Sequence, residues 1–136
     1  MSATSDYLFV YGTLRSDSYS ESYRQFIAPH FSLVSRATIA GKLYAIVDYP
    51  GLLPAETATD IVVGEVHAFE GGEEKLLEID EYEGCAPHSP TPHLYTRKRE
   101  KAFLRDNTTV DAWVYFYNFA VSDNMLIRSG DFLDPL

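Results

Sequence analysis

The chain has 136 residues, of which 46% are hydrophobic, and this length and composition predict one globular domain over residues 1–136. Its formal net charge of −9 at pH 7 repels phosphate backbones and anionic membranes, so we predict neither nucleic acid nor a membrane as a partner. The single cysteine, Cys85, excludes an internal disulfide, and the N-terminal residues contain no apolar run typical of a signal peptide. Both observations predict a cytoplasmic location.

Strand patterns dominate the first half of the chain. Ten tyrosines and eight phenylalanines favour strands, because aromatic side chains pack well on a pleated surface. The pattern predicts, in order, a strand over 7–11, a glycine turn over 12–15, a short amphipathic helix over 16–26, two strands or one bent strand over 31–47, and a turn over 49–54.

The second half contains the clearest helix pattern. Periodicity and turn residues predict a strand over 61–69, a helix over 73–83 that ends at a glycine, a proline-containing loop over 85–92, and a hairpin of strands over 94–104 and 110–117. The tail from residue 122 is predicted to be irregular. Strands interrupted by two helices predict an α+β fold with a strongly curled sheet or a small barrel.

Glu83 is a carboxylate on the apolar face of the predicted helix. Leu76, Ile79 and Glu83 occupy positions i, i+3 and i+7, so the three side chains share one face. A carboxyl group at the inner end of a helix is partly removed from water, which raises its pKa and permits proton exchange near neutral pH. The spacing also fits an exposed residue in a frayed last turn, so the pattern alone leaves both interpretations open.

The turn from Tyr11 to Arg15 is a second candidate site. Gly12 lets the backbone approach a ligand, and adjacent N–H groups around Thr13 and Leu14 can point together and hold an anion. Arg15 can add a bidentate partner for a carboxylate. An ordinary turn at the end of a strand, with a surface arginine, fits the same residues.

A metal site is a competing interpretation of the proline-containing loop. Cys85, His88 and His93 have a spacing that fits three zinc ligands, but a structural zinc site requires four, and the loop prolines supply none. We therefore predict no metal. Cys85 as a nucleophile would require a fixed histidine and an oxyanion hole, and we rank this hypothesis below the zinc site.

Seven short motifs follow one another between residues 7 and 132. They are Val10-Tyr11-Gly12-Thr13-Leu14-Arg15, Gly41-Lys42-Leu43-Tyr44, Tyr49-Pro50-Gly51, Asp80-Glu81-Tyr82-Glu83-Gly84, Tyr95-Thr96-Arg97, Trp113-Val114-Tyr115 and Ile127-Arg128-Ser129-Gly130-Asp131-Phe132. Each motif is short, but their order resembles that of the γ-glutamylcyclotransferases and their AIG2-like relatives.

This resemblance implies a small mixed β-barrel of about six or seven strands, flanked by two or more helices. It implies release of 5-oxoproline from a γ-glutamyl substrate, with Glu83 as base and then acid, without a metal or other cofactor. The glutamyl portion would bind the turn from Tyr11 to Leu14. Tyr115, Tyr44 and Tyr95 are candidates for lining the pocket through their hydroxyl groups, with core packing as the alternative.

Other interpretations of the same residues stay open. The main alternative is a non-catalytic binding module that uses the fold to hold a small acidic ligand or a protein partner. A carboxylate facing the ligand favours the enzyme, because a binding module has no need of one. The substrate can also be a γ-glutamylamine, or a γ-glutamyl group on a biosynthetic intermediate. The loop over 85–93 is longer than the resemblance leads us to expect, and we expect it to border the pocket mouth.

Overall fold

The computed structural model describes residues 6–134, which contain seven strands and one α-helix. The strands are β1 (Asp6–Val10), β2 (Ser32–Ala40), β3 (Lys42–Ala45), β4 (Pro50–Leu53), β5 (Ile61–Phe69), β6 (Tyr95–Leu104) and β7 (Thr109–Tyr117). The α-helix is α1 (Leu77–Tyr82), and further helical turns lie at Ser16–Ser18, Tyr23–Ile27, Gly72–Leu76 and Asp123–Met125.

Five of the strands close into a barrel in the order β1-β5-β2-β6-β7. All neighbouring pairs are antiparallel except β7 and β1, which close the barrel in parallel with Leu8 opposite Trp113. The remaining strands, β3 and β4, form a separate antiparallel sheet. The predicted α+β fold with a small mixed barrel is confirmed, and the seven strands divide into five and two.

Strand β1 lies between two apolar clusters. Alternate residues of a strand point to opposite faces, so Phe9 packs into one cluster, while Leu8 and Val10 pack into the other. The second cluster also contains Leu76 and Ile79, whose side chains attach α1 to the barrel. The carboxyl end of β1 and the end of α1 are thereby positioned beside the same core.

The predicted helix over 16–26 is wrong as a continuous element. The chain forms a 3-10 turn at Ser16–Ser18 and a separate π-helical turn at Tyr23–Ile27. Between them Tyr19 has a left-handed φ of 56°, which a helix cannot accommodate. The hydroxyls of Ser18 and Ser20 both donate to the carbonyl of Thr13, and these local bonds replace helical ones.

The predicted turn over 49–54 is a strand for most of its length. Pro50–Leu53 pairs with β3 as β4, and Pro50 occupies the first strand position, where its missing N–H costs least. Gly51 has no room for a side chain, because a Cβ atom would lie 2.8 Å from Cγ of Tyr117. The turn lies instead over residues 47–49.

The helix predicted over 73–83 is confirmed in place but begins as a 3-10 turn at Gly72–Leu76 before α1. Leu76 and Ile79 are buried, as their spacing predicts. Gly84 has a φ of +73° and ends the helix immediately after Glu83. No helix within residues 6–134 has the length and apolar character needed to cross a membrane.

Candidate active site

A cavity of about 340 Å³ opens where the end of β1, the loop between β3 and β4, and the end of α1 meet. Six of the predicted site residues line it: Tyr11, Gly12, Thr13, Leu14, Glu83 and Tyr115. The turn and the carboxylate, which are about 70 positions apart in the sequence, therefore face one space. Tyr95 also lines the cavity, but Tyr44 does not, because it is buried in the sheet of β3 and β4.

The turn after β1 lines this cavity and has backbone N–H groups that no described protein group uses. The N–H of Arg15 donates to the carbonyl of Gly12 at 3.1 Å, which closes the turn. Among the residues that the structure describes, none accepts a hydrogen bond from the N–H groups of Gly12, Thr13 or Leu14. Adjacent free N–H groups of this kind form an anion-binding concavity.

The carboxyl group of Glu83 faces the same cavity from the end of α1. The residue is half-buried, and burial, followed by the negative charge of Asp80, raises the pKa of Glu83 to about 8. No side chain or backbone group in the described part of the chain donates a hydrogen bond to this carboxyl group. Glu83 is thus available to a ligand and changes its protonation state near neutral pH.

The tyrosines of the cavity wall direct their hydroxyl groups to protein acceptors. Tyr11 donates to the carbonyl of Tyr115 at 2.5 Å, and Tyr95 donates to the carbonyl of Pro50 at 2.6 Å. Burial is the main cause that raises the pKa of Tyr11, Tyr95 and Tyr115 above the usual tyrosine value. These hydroxyls stay protonated at neutral pH and shape the wall, whereas the pKa of Glu83 lies near neutral pH.

The prediction that Arg15 binds a ligand carboxylate needs correction. Its guanidinium is buried, with 1% of the side chain exposed, and does not line the cavity. It donates to Asp17 at 2.9 and 2.7 Å and to Asp131 at 2.6 Å. Arg15 therefore attaches the turn to the C-terminal segment, and its charge is neutralised by protein carboxylates.

Glu65 is a second buried polar residue that holds the turn in place. Glu65 accepts hydrogen bonds from the N–H and hydroxyl of Ser16 at 2.7 and 2.5 Å, and its other neighbour is His67 at 3.0 Å. Burial opposes ionisation of Glu65, but the bonds from His67 and Ser16 lower its pKa to about 2. No local sequence pattern indicates the contact between Ser16 and Glu65, because the two residues are distant in the chain.

Asp80 lies behind the cavity wall and was not among the predicted site residues. Asp80 is 5% exposed and accepts hydrogen bonds from Tyr115 and from Arg97. The pattern that places Leu76, Ile79 and Glu83 on the inner face of the helix places Asp80 beside that face, so the position of Asp80 was the available clue, while its partner Arg97 was not indicated.

The proline-containing loop lies outside the main cavity. None of residues 85–93 lines it, so the prediction that this loop borders the pocket mouth is wrong. Cys85 and His93 line a separate cavity of about 240 Å³ with Arg97, whereas His88 is exposed beside Glu81. Burial is the main cause that raises the pKa of Cys85 to about 12, so its thiol is not activated as a nucleophile. Residues 6–134 contain no cluster of three or more His, Cys, Asp or Glu side chains suited to a metal.

Comparison with known proteins identifies the family. Residues 8–134 match the family model described as γ-glutamyl cyclotransferase, AIG2-like. The chain belongs to this family. A protein of Methanocaldococcus jannaschii, provisionally named γ-glutamylcyclotransferase, is 29% identical over 130 residues, which cover 95% of this chain and 97% of the relative. The γ-L-glutamyl-butirosin B γ-glutamyl cyclotransferase of Niallia circulans is 36% identical over 113 residues, covering 82% of this chain and 66% of the relative.

Solved structures show the same fold in AIG2-like proteins. The crystal structure of a mouse AIG2-like protein aligns with a TM-score of 0.67 at 20% identity, covering 89% of this chain and 82% of that protein. The crystal structure of YkqA from Bacillus subtilis aligns with a TM-score of 0.68 at 22% identity, covering 94% of this chain and 39% of YkqA. Family membership makes the chain an enzyme of the γ-glutamylcyclotransferase type, which favours catalysis over the binding module.

Proposed function

We propose that this AIG2-like chain converts a γ-glutamyl amide to 5-oxoproline and a free amine, with Glu83 transferring the protons. The observation that supports this most directly is that one cavity is lined both by an unpaired carboxyl group with a pKa of about 8 and by three residues whose backbone N–H groups have no protein acceptor among the described residues. The substrate would bring an α-ammonium group, an α-carboxylate and a γ-carbonyl group to these two features. No metal or other cofactor takes part in the proposed steps.

The reaction needs one bond to form and one to break within the same substrate molecule. The α-amine attacks the γ-carbonyl carbon and closes a five-membered lactam, and the bond between that carbon and the leaving nitrogen breaks. Ionised Glu83 takes one proton from the α-ammonium group and passes it to the leaving nitrogen. The attacking nitrogen loses a second proton as the lactam forms, and Glu83 transfers that proton to the same amine, which leaves as an ammonium ion. Atoms and charges balance without water, and general acid–base catalysis of this kind contributes about 10²–10⁴-fold.

The raised pKa of Glu83 suits this proton transfer. An α-amino group has a pKa of about 7.7–8.0 in model peptides, close to the value of about 8 for Glu83. The α-carboxylate of the substrate raises the pKa of its ammonium group above that of a peptide amine, so the raised pKa of Glu83 makes the proton transfer less unfavourable. A carboxylate with the ordinary pKa near 4.3 would be a much weaker base for the same proton.

The turn supplies hydrogen-bond donors for the negatively charged oxygens of the substrate. The N–H groups of Gly12, Thr13 and Leu14 can hold the α-carboxylate or the oxyanion that develops on the γ-carbonyl group. Electrostatic support by fixed backbone donors is effective in a cavity that excludes water. The bonds of Arg15 and Ser16 to buried carboxylates keep this turn in place before the substrate arrives.

The cytoplasmic location stays a prediction from the sequence.

The pH dependence of activity follows from the pKa of Glu83. The free enzyme must carry ionised Glu83, and the ionised fraction rises about tenfold per pH unit below pH 8. We therefore expect kcat/KM to rise almost tenfold from pH 6 to pH 7, to level off near pH 8, and to fall once the substrate amine loses its proton. Initial rates on a substrate without a titrating leaving group would measure this profile. A constant kcat/KM between pH 6 and pH 8 would contradict the assignment.

The charge of the cavity favours some leaving groups over others. Its charged lining residues are the acids Asp48 and Glu83, and no Lys, Arg or His of the described chain lines it. Asp48 is exposed on the loop between β3 and β4, where the leaving group would emerge. A neutral or cationic amine therefore fits this mouth better than an amino acid with its own carboxylate.

Asp48→Asn should weaken this preference by a small factor. Because Asp48 is exposed and screened, we expect the ratio of kcat/KM values for a γ-glutamyl amino acid and a γ-glutamylamine to rise only about threefold. Asp111→Asn, an exposed acid on β7, is the matched control and should leave the ratio unchanged. An unchanged ratio in Asp48→Asn at low salt would show that this charge does not reach the leaving group.

Chromatographic detection of 5-oxoproline tests the proposed function directly. The purified chain would be incubated with γ-glutamyl amino acids, γ-glutamylamines, glutathione and γ-L-glutamyl-butirosin B, since the last is named for a relative. Product from at least one compound, in stoichiometric amounts with the free amine, is the expected result. Product without the matching amine, or glutamate in place of 5-oxoproline, would exclude cyclisation.

A further inference from the structure

Asp80 lies one helical turn before Glu83, on the side of the helix that faces the barrel wall. Residues at i and i+3 are neighbours on a helix surface, so the two carboxyl groups are close. Asp80 is 5% exposed, which is a rare environment for a charged residue without partners. The contacts of Asp80 therefore show how its side chain is held in this buried position.

Arg97 of β6 holds Asp80 through a two-point contact. The guanidinium Nε and Nη2 atoms donate to the two carboxylate oxygens of Asp80 at 2.8 and 3.1 Å. The side chain of Arg97 also contacts Glu73 at 3.2 Å and lies 4.5 Å from the centre of the Trp113 ring. A bidentate pair of this kind favours the ionised carboxylate and fixes its orientation.

Tyr115 links this charge pair to the cavity. Its hydroxyl donates to Oδ1 of Asp80 at 2.6 Å, while the residue itself lines the cavity that contains Glu83. The backbone carbonyl of Tyr115 accepts the hydroxyl of Tyr11 at 2.5 Å, next to the ligand-binding turn. Asp80 thus contacts the cavity wall without reaching the space that a substrate would occupy, since it does not line that cavity.

We propose that Asp80 is a positioning residue, which holds Tyr115 in the cavity wall and presents a fixed negative charge to the carboxyl group of Glu83. This inference rests on the proposed function of Glu83 as the proton carrier. Asp80 acts through Glu83 and Tyr115 and never touches the substrate.

The other titratable groups around Glu83 do not supply this charge. The charge of Glu83 raises the pKa of four nearby groups, which are Tyr11 after β1, Tyr95 on β6, Tyr115 on β7 and Cys85 after the helix. Burial is the first cause that raises the pKa of each of them, so all four are neutral at pH 7. Asp48 lines the same cavity but is exposed, and among the charged residues of 6–134 only Asp80 raises the pKa of Glu83.

The proposal predicts how Glu83 responds when the charge of Asp80 is removed. In Asp80→Asn the repulsion between the two carboxylates is lost, so Glu83 should release its proton at a pH about one unit lower. The acid limb of kcat/KM should move by the same amount. Tyr115→Phe removes a hydrogen bond but no charge, so it should lower kcat by about tenfold and leave the pH of the limb in place.

The titration of Glu83 can be followed without any substrate. Full-length protein with ¹³C in its glutamate side chains would be titrated by NMR, and Glu83 would be assigned from the resonance missing in Glu83→Gln. The parent should show a midpoint near pH 8. This measurement separates the two hypotheses, because the Glu83 midpoint can respond to Asp80 even if the protein forms no 5-oxoproline.

A double variant protects the test against loss of folding. Asp80→Asn alone leaves the guanidinium of Arg97 short of a partner, whereas Asp80→Asn with Arg97→Gln removes both charges. A lower midpoint of similar size in the double variant would support the proposal. A midpoint that returns to the parent value in the double variant would assign the shift to the unpaired guanidinium and overturn the role of Asp80. An unchanged midpoint in both variants would overturn it as well.

Discussion

Glu83→Gln should form 5-oxoproline about 10²–10⁴-fold more slowly than the parent and still bind 5-oxoproline. Glutamine has the shape of the protonated carboxyl group but neither accepts the ammonium proton nor donates one to the leaving nitrogen. The N–H groups of the turn are unaffected, so binding of the product should change little. Chromatographic rates and calorimetric binding of 5-oxoproline would measure the two quantities separately.

Glu78→Gln is the matched control for this variant. Glu78 lies on the exposed side of the same helix, so its replacement should change neither rate nor binding. A Glu83→Gln protein with the parental rate would remove Glu83 from the mechanism. Equal loss of rate and of 5-oxoproline binding would instead assign Glu83 to binding.

The same variant should also change how stability depends on pH. Glu83 has a pKa of about 8 in the folded chain and about 4.3 when unfolded. The folded state therefore binds more protons between these values, so this group makes stability fall as pH rises from about 4.3 to 8. Glu83→Gln lacks that loss, and its Tm should exceed the parental Tm at pH 9 by more than at pH 5.

Gly12→Val should weaken 5-oxoproline binding and lower kcat/KM by about 10- to 100-fold. A Cβ atom on Gly12 would lie 2.7 Å from Cγ and 2.9 Å from Cδ of Pro50, so the turn or β4 must move. Overpacking of this size costs about 1–3 kcal/mol, and each 1.4 kcal/mol corresponds to a tenfold change. The displaced turn would no longer aim its N–H groups at the ligand.

Thr13→Ala provides the comparison for the turn, because it keeps the backbone N–H and removes only a side chain that contacts Tyr82 at 3.0 Å. Its affinity for 5-oxoproline should stay within about threefold of the parent. Gly12→Ala, with a smaller clash, should fall between Thr13→Ala and Gly12→Val. Parental affinity in a folded Gly12→Val protein would exclude the turn as the anion site.

The sequence predicted the barrel well, because most strands show an apolar pattern of their own. Residues 61–69 form β5 with the predicted bounds, and this strand pairs with neighbours on both sides. The predicted helix over 16–26 is wrong, because the apolar spacing gives no information about the serine hydroxyls whose hydrogen bonds bend the chain at Tyr19. Local periodicity does not include such side-chain competition with the backbone.

The candidate site was predictable only where residue type limits the chemistry. The local patterns left Glu83 and Gly12 open, and the order of the seven motifs made them the candidates that the structure places on one cavity. Arg15 was misassigned, since its partner Asp131 lies 116 residues away in the chain. Asp80 and Arg97 are only 17 positions apart, but they lie on a helix and a strand, so no local pattern indicates their pairing.

The sheet of β3 and β4 is separate from the barrel sheet that carries the turn after β1. The turn after β1 and the end of α1 are fixed to the barrel core, whereas the loop between β3 and β4 brings Asp48 to the mouth from outside the barrel. The hydroxyl of Tyr95 bonds to Pro50 at 2.6 Å, so this sheet is anchored at its base while its tip extends toward solvent. We therefore expect substitutions at this tip to change the preference for the leaving amine more than the rate of the proposed ring closure.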